Sequence, residues 1–447
     1  MKRIFIQSLS TWLNGQKRKP LIIRGARQVG KSTSVRLFCE EQKIELVEIN
    51  LEFHLELKEV ISSLKIENIL HAIEKITRKK ITKNSLIFFD EIQAIPEILM
   101  VLRYFYELMP ELPIISAGSL LEFALNEINF SMPVGRIEYR YLGPMSFYEF
   151  LMALDDQILL ECFQKYNLKN MIAPYLFQSL QERYSQYLFI GGMPEAIDTF
   201  VKTSDFKQVR KVHQSIIETY KDDFNKYRKR FALEDLHRLF NKTLASTGQK
   251  IKYSNLLPNE LSSKTKNILE LFFLSKLFYR CTHSASNQLP LKAEENEKHF
   301  KIYCLDVGLL TYHLGLEWAE LSNNEINSNT QAVLAEQFIA QHLLTEDSEV
   351  NLQLNYWIRE NKNANAEIDF VIGNHGNIIP IEVKSGKSGT LKSLLQFCFE
   401  KKIKTGIRFY LNELSFEKVH AKIDQTSFSY NLVNIPIFLV ERFRSFL

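Results

Sequence analysis

Eight consecutive residues, Gly25-Ala26-Arg27-Gln28-Val29-Gly30-Lys31-Ser32, have the types and spacing to hold a chain of phosphates. They satisfy the pattern G-x-x-x-x-G-K-[ST] at every position. Glycine permits backbone conformations that other residues avoid, so the chain can wrap closely around an anion. The amides from Val29 to Ser32, with Thr33 next to them, are then expected to face one concavity at a helix N-terminus, where partial positive charge collects. Lys31 would reach the β- and γ-phosphates, and the Ser32 hydroxyl would ligate Mg²⁺. The chemistry expected here is binding of a nucleoside triphosphate together with Mg²⁺.

A second constellation lies about sixty residues on. Ser85-Leu86-Ile87-Phe88-Phe89 is apolar and is followed by Asp90 and Glu91. An apolar run ending in two acids suits a strand buried in a parallel sheet that delivers its acids at the carboxyl edge, where ligands bind. Asp90 is expected to hold Mg²⁺, and Glu91 to orient and deprotonate the attacking water. Pro113 to Ser119 reads as another core strand. Ser119 at its end is a candidate for sensing the γ-phosphate, with Ser116 a weaker one. Arg136 is a candidate phosphate contact, in its own or a neighbouring subunit; a surface role is the alternative.

A third group is near the other end of the chain. Glu367 to Ile372 and Ile378 to Lys384 read as two strands joined by a turn over Gly373-Asn374-His375-Gly376-Asn377. Glu382 and Lys384 are two apart and so share a strand face, while Asp369 sits on the neighbouring strand. Asp…Glu-x-Lys in this arrangement resembles the PD-(D/E)xK nuclease core, and in such a site Asp369 and Glu382 would bind Mg²⁺, with Glu336 on a preceding helix as a further acid. Lys384 would activate water or stabilise a pentavalent phosphate. The alternative is an ion cluster in a polar cleft, without turnover.

The elements that must position these groups are legible in part. Leu21-Ile22-Ile23 precedes the phosphate loop as a short buried strand, and residues 34 to 41 follow it with helical spacing. Glu45 to Asn50 alternates as a strand, residues 55 to 76 read as helical, and residues 99 to 108 as a helix. Phe147 to Tyr220 has helix-compatible spacing interrupted at Pro174 and at Gly191-Gly192-Met193-Pro194. Residues 233 to 244, 252 to 257 and 263 to 275 then suggest three helices, with Ser262 as an N-cap. Residues 277 to 282 and 299 to 303 suggest two strands around a polar loop. That order suits a winged helix-turn-helix. Lys264 and Lys266 would open its recognition helix, and Lys226, Arg228, Lys229 and Arg230 form a basic run before it. A DNA contact through these bases and a protein or subunit contact both stand at this stage.

Composition sets the outer bounds. The chain has 447 residues, 45% hydrophobic and 24% charged, with a net charge of +4. This describes a globular chain of about three domains at the usual ~150 residues each, without a charge excess that demands nucleic acid. Five cysteines without a C-x-x-C pair argue against a zinc or disulfide framework and for a reducing cytoplasm. No apolar run approaches the ~18 residues of a membrane span, and the N-terminus lacks the apolar core of a signal peptide.

The segments Arg24 to Ser32, Phe89-Asp90-Glu91-Ile92-Gln93, Ala117-Gly118-Ser119 and Pro133 to Arg136 together resemble a large prokaryotic family of AAA-type ATPases. In that family a domain of unknown function, number 4143, follows the ATPase domain. Pro144 to Phe150, Gly191 to Glu195 and Ile381 to Ser385 resemble it as well, so the likeness spans nearly the whole chain. It implies ATP binding and hydrolysis. Asp…Glu-x-Lys resembles the core of PD-(D/E)xK nucleases, although Pro380 precedes Ile381 rather than the first acid. The expected fold is α/β: a P-loop parallel sheet in residues 1–145, a helical lid in 146–230, a winged-helix-like segment in 231–300, and a restriction-endonuclease-like domain in 301–447. The expected function is an AAA-type ATPase, DNA-associated, with a nuclease-like C-terminal domain. The alternative is an ATP-dependent switch for protein partners, whose C-terminal domain is an inactive scaffold.

Overall fold

Short, nearly uninterrupted apolar strands need cover on both faces, and five of them form the first sheet. They are β1 (Leu21–Arg24), β2 (Glu45–Asn50), β3 (Ser85–Asp90), β4 (Ile114–Gly118) and β5 (Glu138–Tyr141). The computed structural model describes residues 1–119, 135–258, 260–323, 325–359, 366–386, 390–423 and 425–447. Its chain divides into two compact units. The first comprises Met1–Pro144, Leu271–Leu277 and Asp347–Asn351; the second comprises Met145–Glu270, Phe278–Glu346 and Leu352–Leu447.

In the first unit the strand order is β2-β3-β4-β1-β5, and every neighbouring pair is parallel. Helices Lys31–Gln42, Ile66–Thr77 and Ile98–Leu108 connect the strands. The two central strands β3 and β4 are buried along their whole length. Ile22, Val47, Ile49, Ile87 and Phe89 of the sheet share a core with Ile69, Ile73, Leu102 and Phe105 of the helices. The stretch expected to be helical over 55–76 is two helices, Leu57–Ser62 and Ile66–Thr77, separated by Leu64 in a left-handed conformation. Strand β5 was not anticipated.

The second unit opens with five helices, Phe147–Ala153, Gln157–Lys165, Pro174–Ile190, Pro194–Thr203 and Phe206–Asp223. Ser146 and Glu149 form a reciprocal capping box at the first of these. Gly192 N–H donates to the buried Asp306 carboxylate at 2.6 Å, and its carbonyl accepts from Met145 N–H at 2.6 Å. The Gly191-Gly192 turn is thus held from both sides.

An eight-stranded mixed sheet follows: β6 (Phe278–Ser284), β7 (Glu295–Cys304), β8 (Leu354–Ile358), β9 (Glu367–Asn374), β10 (Asn377–Val383), β11 (Thr405–Tyr410), β12 (Ser415–Ile423) and β13 (Thr426–Pro436). Its order is β12-β13-β11-β10-β9-β8-β6-β7. The helices expected before the wing are present as Leu233–Ala245, Tyr253–Leu256 and Ser262–Leu274. Ser262 is the first residue of its helix rather than its cap. The hairpin expected to be a wing forms the edge of the large sheet, where β6 pairs in parallel with β8 at Cys281↔Leu354. The turn between β9 and β10 is also tighter than expected. Only His375 and Gly376 separate the strands, both with positive φ, as a two-residue hairpin turn requires.

Candidate functional site

The phosphate loop joins β1 to helix Lys31–Gln42, at the carboxyl edge of the first sheet. Gly30 caps that helix with φ 92° and ψ 27°, a left-handed conformation natural to glycine. The first amides of the helix have no carbonyl partner within it, which leaves them available to an anion. Lys31 is buried, and its ammonium donates to the carbonyls of Gly25 (3.0 Å) and Ala26 (2.7 Å). Burial pulls its pKa down to about 8 against the opposing pull of Glu91 and Asp90. Arg3 braces the loop from outside by donating to the Val29 carbonyl at 2.9 Å.

Asp90 ends β3, and its Oδ2 accepts from Ser32 Oγ at 2.6 Å. Its Oδ1 accepts from Glu91 N–H at 3.0 Å. Burial raises the Asp90 carboxyl above the ordinary aspartate range, while the Ser32 hydrogen bond opposes that shift. A hydroxyl and a carboxylate that meet from the two motifs are hard oxygen donors of the kind Mg²⁺ takes, so the residues present fit that ion. Glu91 follows with φ 52° and ψ 48°, a left-handed conformation uncommon for glutamate. Its Oε2 accepts from Gln93 Nε2 at 2.5 Å.

Strand order decides where Ser119 falls. Strand β4 lies between β3 and β1, so Ser119 at its carboxyl end sits between the two motifs. Its hydroxyl is buried with no hydrogen-bond partner, as are that of Ser116 and the Gln28 side-chain carbonyl. Arg27 lies 4.0 Å from Glu52. Arg136 requires a correction. It stands two residues before β5, whose Glu138 pairs with Leu21 at the amino end of β1. The phosphate loop leaves the opposite end of β1, after Arg24. At ~3.3 Å per residue the sheet separates the two by roughly 15 Å. Arg136 instead bonds Glu107 at 3.1 Å, so contact with its own nucleotide is excluded by topology. Pro133 and Val134 of the same motif lie outside the described residues.

The third group does converge, with additions. Asp369 on β9 accepts from Val383 N–H at 2.7 Å, and Lys384 bonds Glu382 at 2.5 Å. Lys301 of β7, only 3% exposed, enters the same cluster. Its ammonium lies 2.6 Å from Glu367, 3.4 Å from Glu336 and 4.0 Å from Asp369. Lys250 bonds the other Glu367 oxygen at 2.6 Å, and Tyr303 donates to Glu336 at 2.9 Å. Burial works against the charge on Lys301, but Glu336, Asp369 and Glu367 push its pKa well above the ordinary value. Burial, reinforced by Glu336 and Glu382, raises Asp369 well above its ordinary value. Burial also raises Glu382 against the pull of Lys384, and its Oε2 is buried without a partner. Among the described residues no group of three or more His, Cys, Asp or Glu side chains is arranged to hold a metal ion. The expected metal set Glu336, Asp369 and Glu382 lies in one network with Lys301 and Lys384.

The five-stranded parallel sheet and its loop-and-acid site have the architecture of a P-loop domain. Residues 17–151 match the family described as an AAA domain. Residues 181–320 match a domain of unknown function, DUF8612, and residues 333–429 another, DUF4143. Along the chain a match to an AAA domain is thus followed by matches to DUF8612 and DUF4143. Similar solved structures include AMPPCP-bound DnaA from Aquifex aeolicus, at 11% identity over 60% of this chain and 85% of that one, with a TM-score of 0.25. PCH-2 from C. elegans matches at 12% over 45% and 61%, with a TM-score of 0.26. The Aeropyrum pernix ORC1 protein in complex with DNA matches at 11% over 76% and 92%, with a TM-score of 0.26. No curated protein matches the chain. Among the described residues no helix is long and apolar enough to cross a membrane.

Proposed function

We propose that the first unit hydrolyses ATP with Mg²⁺. The observation that carries this reading is the 2.6 Å contact between Ser32 Oγ and Asp90 Oδ2, with Lys31 buried in the adjoining loop. Lys31 exchanges its carbonyl partners for β- and γ-phosphate oxygens, and the amides at the helix start hold the chain in place. Ser32 and Asp90 would hold Mg²⁺, which would supply charge neutralisation at the phosphates. Glu91 takes the proton of the attacking water, and Ser119 contacts the γ-phosphate between them. Arg136, at the far edge, acts only from a neighbouring subunit or at the surface. Glu91→Gln removes the base but not the Asp90–Ser32 pair. It should bind ATP normally and lose at least about a hundredfold in turnover, whereas Lys31→Ala should lose binding. Wild-type turnover by the Glu91→Gln protein refutes the assignment.

A second reading concerns the cluster on β7, β9 and β10. The unpartnered Oε2 of Glu382, beside Asp369 and Lys384, favours a nuclease-like phosphodiester site with a divalent cation. Lys301 favours the other outcome, a scaffold whose acids are permanently compensated. Calorimetry with Mn²⁺ in the presence of DNA separates them. Binding lost in Asp369→Asn supports the metal site. No Mn²⁺ binding by folded wild-type protein retires it and leaves a domain for protein partners.

A further inference from the structure

We propose that Gln93 is the positioning residue of the catalytic glutamate, tying Glu91 to the end of β4 where the γ-phosphate is sensed. The inference rests on the ATP-hydrolysis reading. It begins with the backbone after β3. Glu91 turns left-handed, and Ile92–Ala94 close a single 3₁₀ turn, which carries the Gln93 side chain back to Glu91. The Gln93 amide nitrogen donates to Glu91 Oε2 at 2.5 Å. An ionised carboxylate only accepts, so this contact fixes which end of the amide faces Glu91. One carboxylate oxygen is thereby tied, and the other is left for a water molecule.

The planar amide then has no freedom over its other end. Gln93 Oε1 is buried and has no hydrogen-bond partner. It is pressed against Gly118: a Cβ built there would lie 2.5 Å from Oε1 and 3.1 Å from the Ile92 side chain. A side chain at the last residue of β4 would displace the Gln93 amide from that space. The next residue is Ser119, whose hydroxyl is also buried and unpartnered. Unpaired buried polar atoms are rare in native proteins. Here two of them are at adjoining positions, one on the amide that holds the base and one on the candidate phosphate sensor. Neither is explained by packing alone. A shift of the β4 end when a γ-phosphate reaches Ser119 moves the wall against which the Gln93 amide rests, and with it the Glu91 carboxylate.

Three variants test this with steady-state ATPase kinetics and nucleotide binding on the full chain. Gln93→Leu keeps the volume and removes the amide. It should lower kcat by about ten- to a hundredfold, the cost of a misplaced base, with KM and nucleotide Kd nearly unchanged. Gly118→Ala should act the same way through the displaced amide, and the double variant should be no worse than the poorer single one. Gln93→Glu places a second carboxylate against Glu91, and two carboxylates this close do not both ionise. The acid limb of the kcat–pH profile should then move to higher pH. Wild-type kcat in Gln93→Leu overturns the inference. So does a Gln93→Glu profile that superimposes on wild type, or a loss that tracks only the melting temperature. A wild-type protein that does not hydrolyse ATP refutes the underlying reading instead.

Discussion

Lys31 offers the sharpest quantitative test of the nucleotide site. In the free protein its ammonium is enclosed by the phosphate loop and bonded to two carbonyls, and burial holds its pKa at about 8. Phosphate oxygens around it restore the charged form at least to the ordinary 10.5. Nucleotide binding must therefore take up a proton above pH 8. At pH 9 a group at about 8 is roughly one-tenth charged and one at 10.5 almost fully so, an uptake of about 0.9 proton per nucleotide. At pH 7 the same arithmetic gives about 0.1 proton. Affinity should fall about tenfold between those two pH values, or about 1.4 kcal/mol. Folding has the opposite sense. Because Lys31 is depressed in the folded chain, folding releases a proton between about pH 8 and 10.5, so its contribution makes the protein more stable as pH rises across that window. The assay is titration calorimetry with Mg²⁺ and a non-hydrolysable ATP analogue, in two buffers of different ionisation enthalpy at each pH. In Lys31→Arg the guanidinium stays charged, so residual binding at pH 9 should show no uptake. Equal uptake at pH 7 and 9 in the wild type, or uptake that persists in Lys31→Arg, refutes the reasoning.

Arg136 lies too far from its own phosphate loop to act there, so Arg136→Ala should leave single-subunit nucleotide affinity unchanged. If it acts across an interface, mixing Arg136→Ala with Lys31→Ala chains should restore part of the activity; no rescue with assembly confirmed places it at the surface. For DNA, the basic run and the helix start make different predictions. Lys264 is held by Asp235 at 2.6 Å and Glu260 at 3.0 Å, whereas Arg228, Lys229 and Arg230 are exposed. Replacing Arg228 and Lys229 should weaken any DNA binding and flatten its salt dependence by about two units of slope, more than replacing Lys264. No binding by the wild type at low salt removes DNA as a partner of this segment.

The sequence by itself determined the groups that are contiguous along the chain. Gly25 to Ser32 is one loop, and its chemistry follows from residue type and spacing because neighbours in sequence cannot avoid being neighbours in space. The same holds for the apolar run into Asp90 and Glu91, and for Glu382 and Lys384 on one strand face, which meet at 2.5 Å. Tertiary structure decided what depends on strand order and register. Lys301 reaches Glu336 and Glu367 only because β7 joins a sheet with β6 and β8, a connection no hydrophobic period encodes. Helix Lys392–Glu400 and β11 to β13, which complete the sheet past Lys384, were not anticipated from sequence. Arg136 looked like a phosphate ligand by type, but parallel pairing of β5 with β1 puts it at the wrong edge. Gln93 had no role assigned from sequence; the left-handed turn at Glu91 folds it back against Gly118. Local chemistry is written in residue order. Which distant side chains share a cavity is settled by the packing of the elements that carry them.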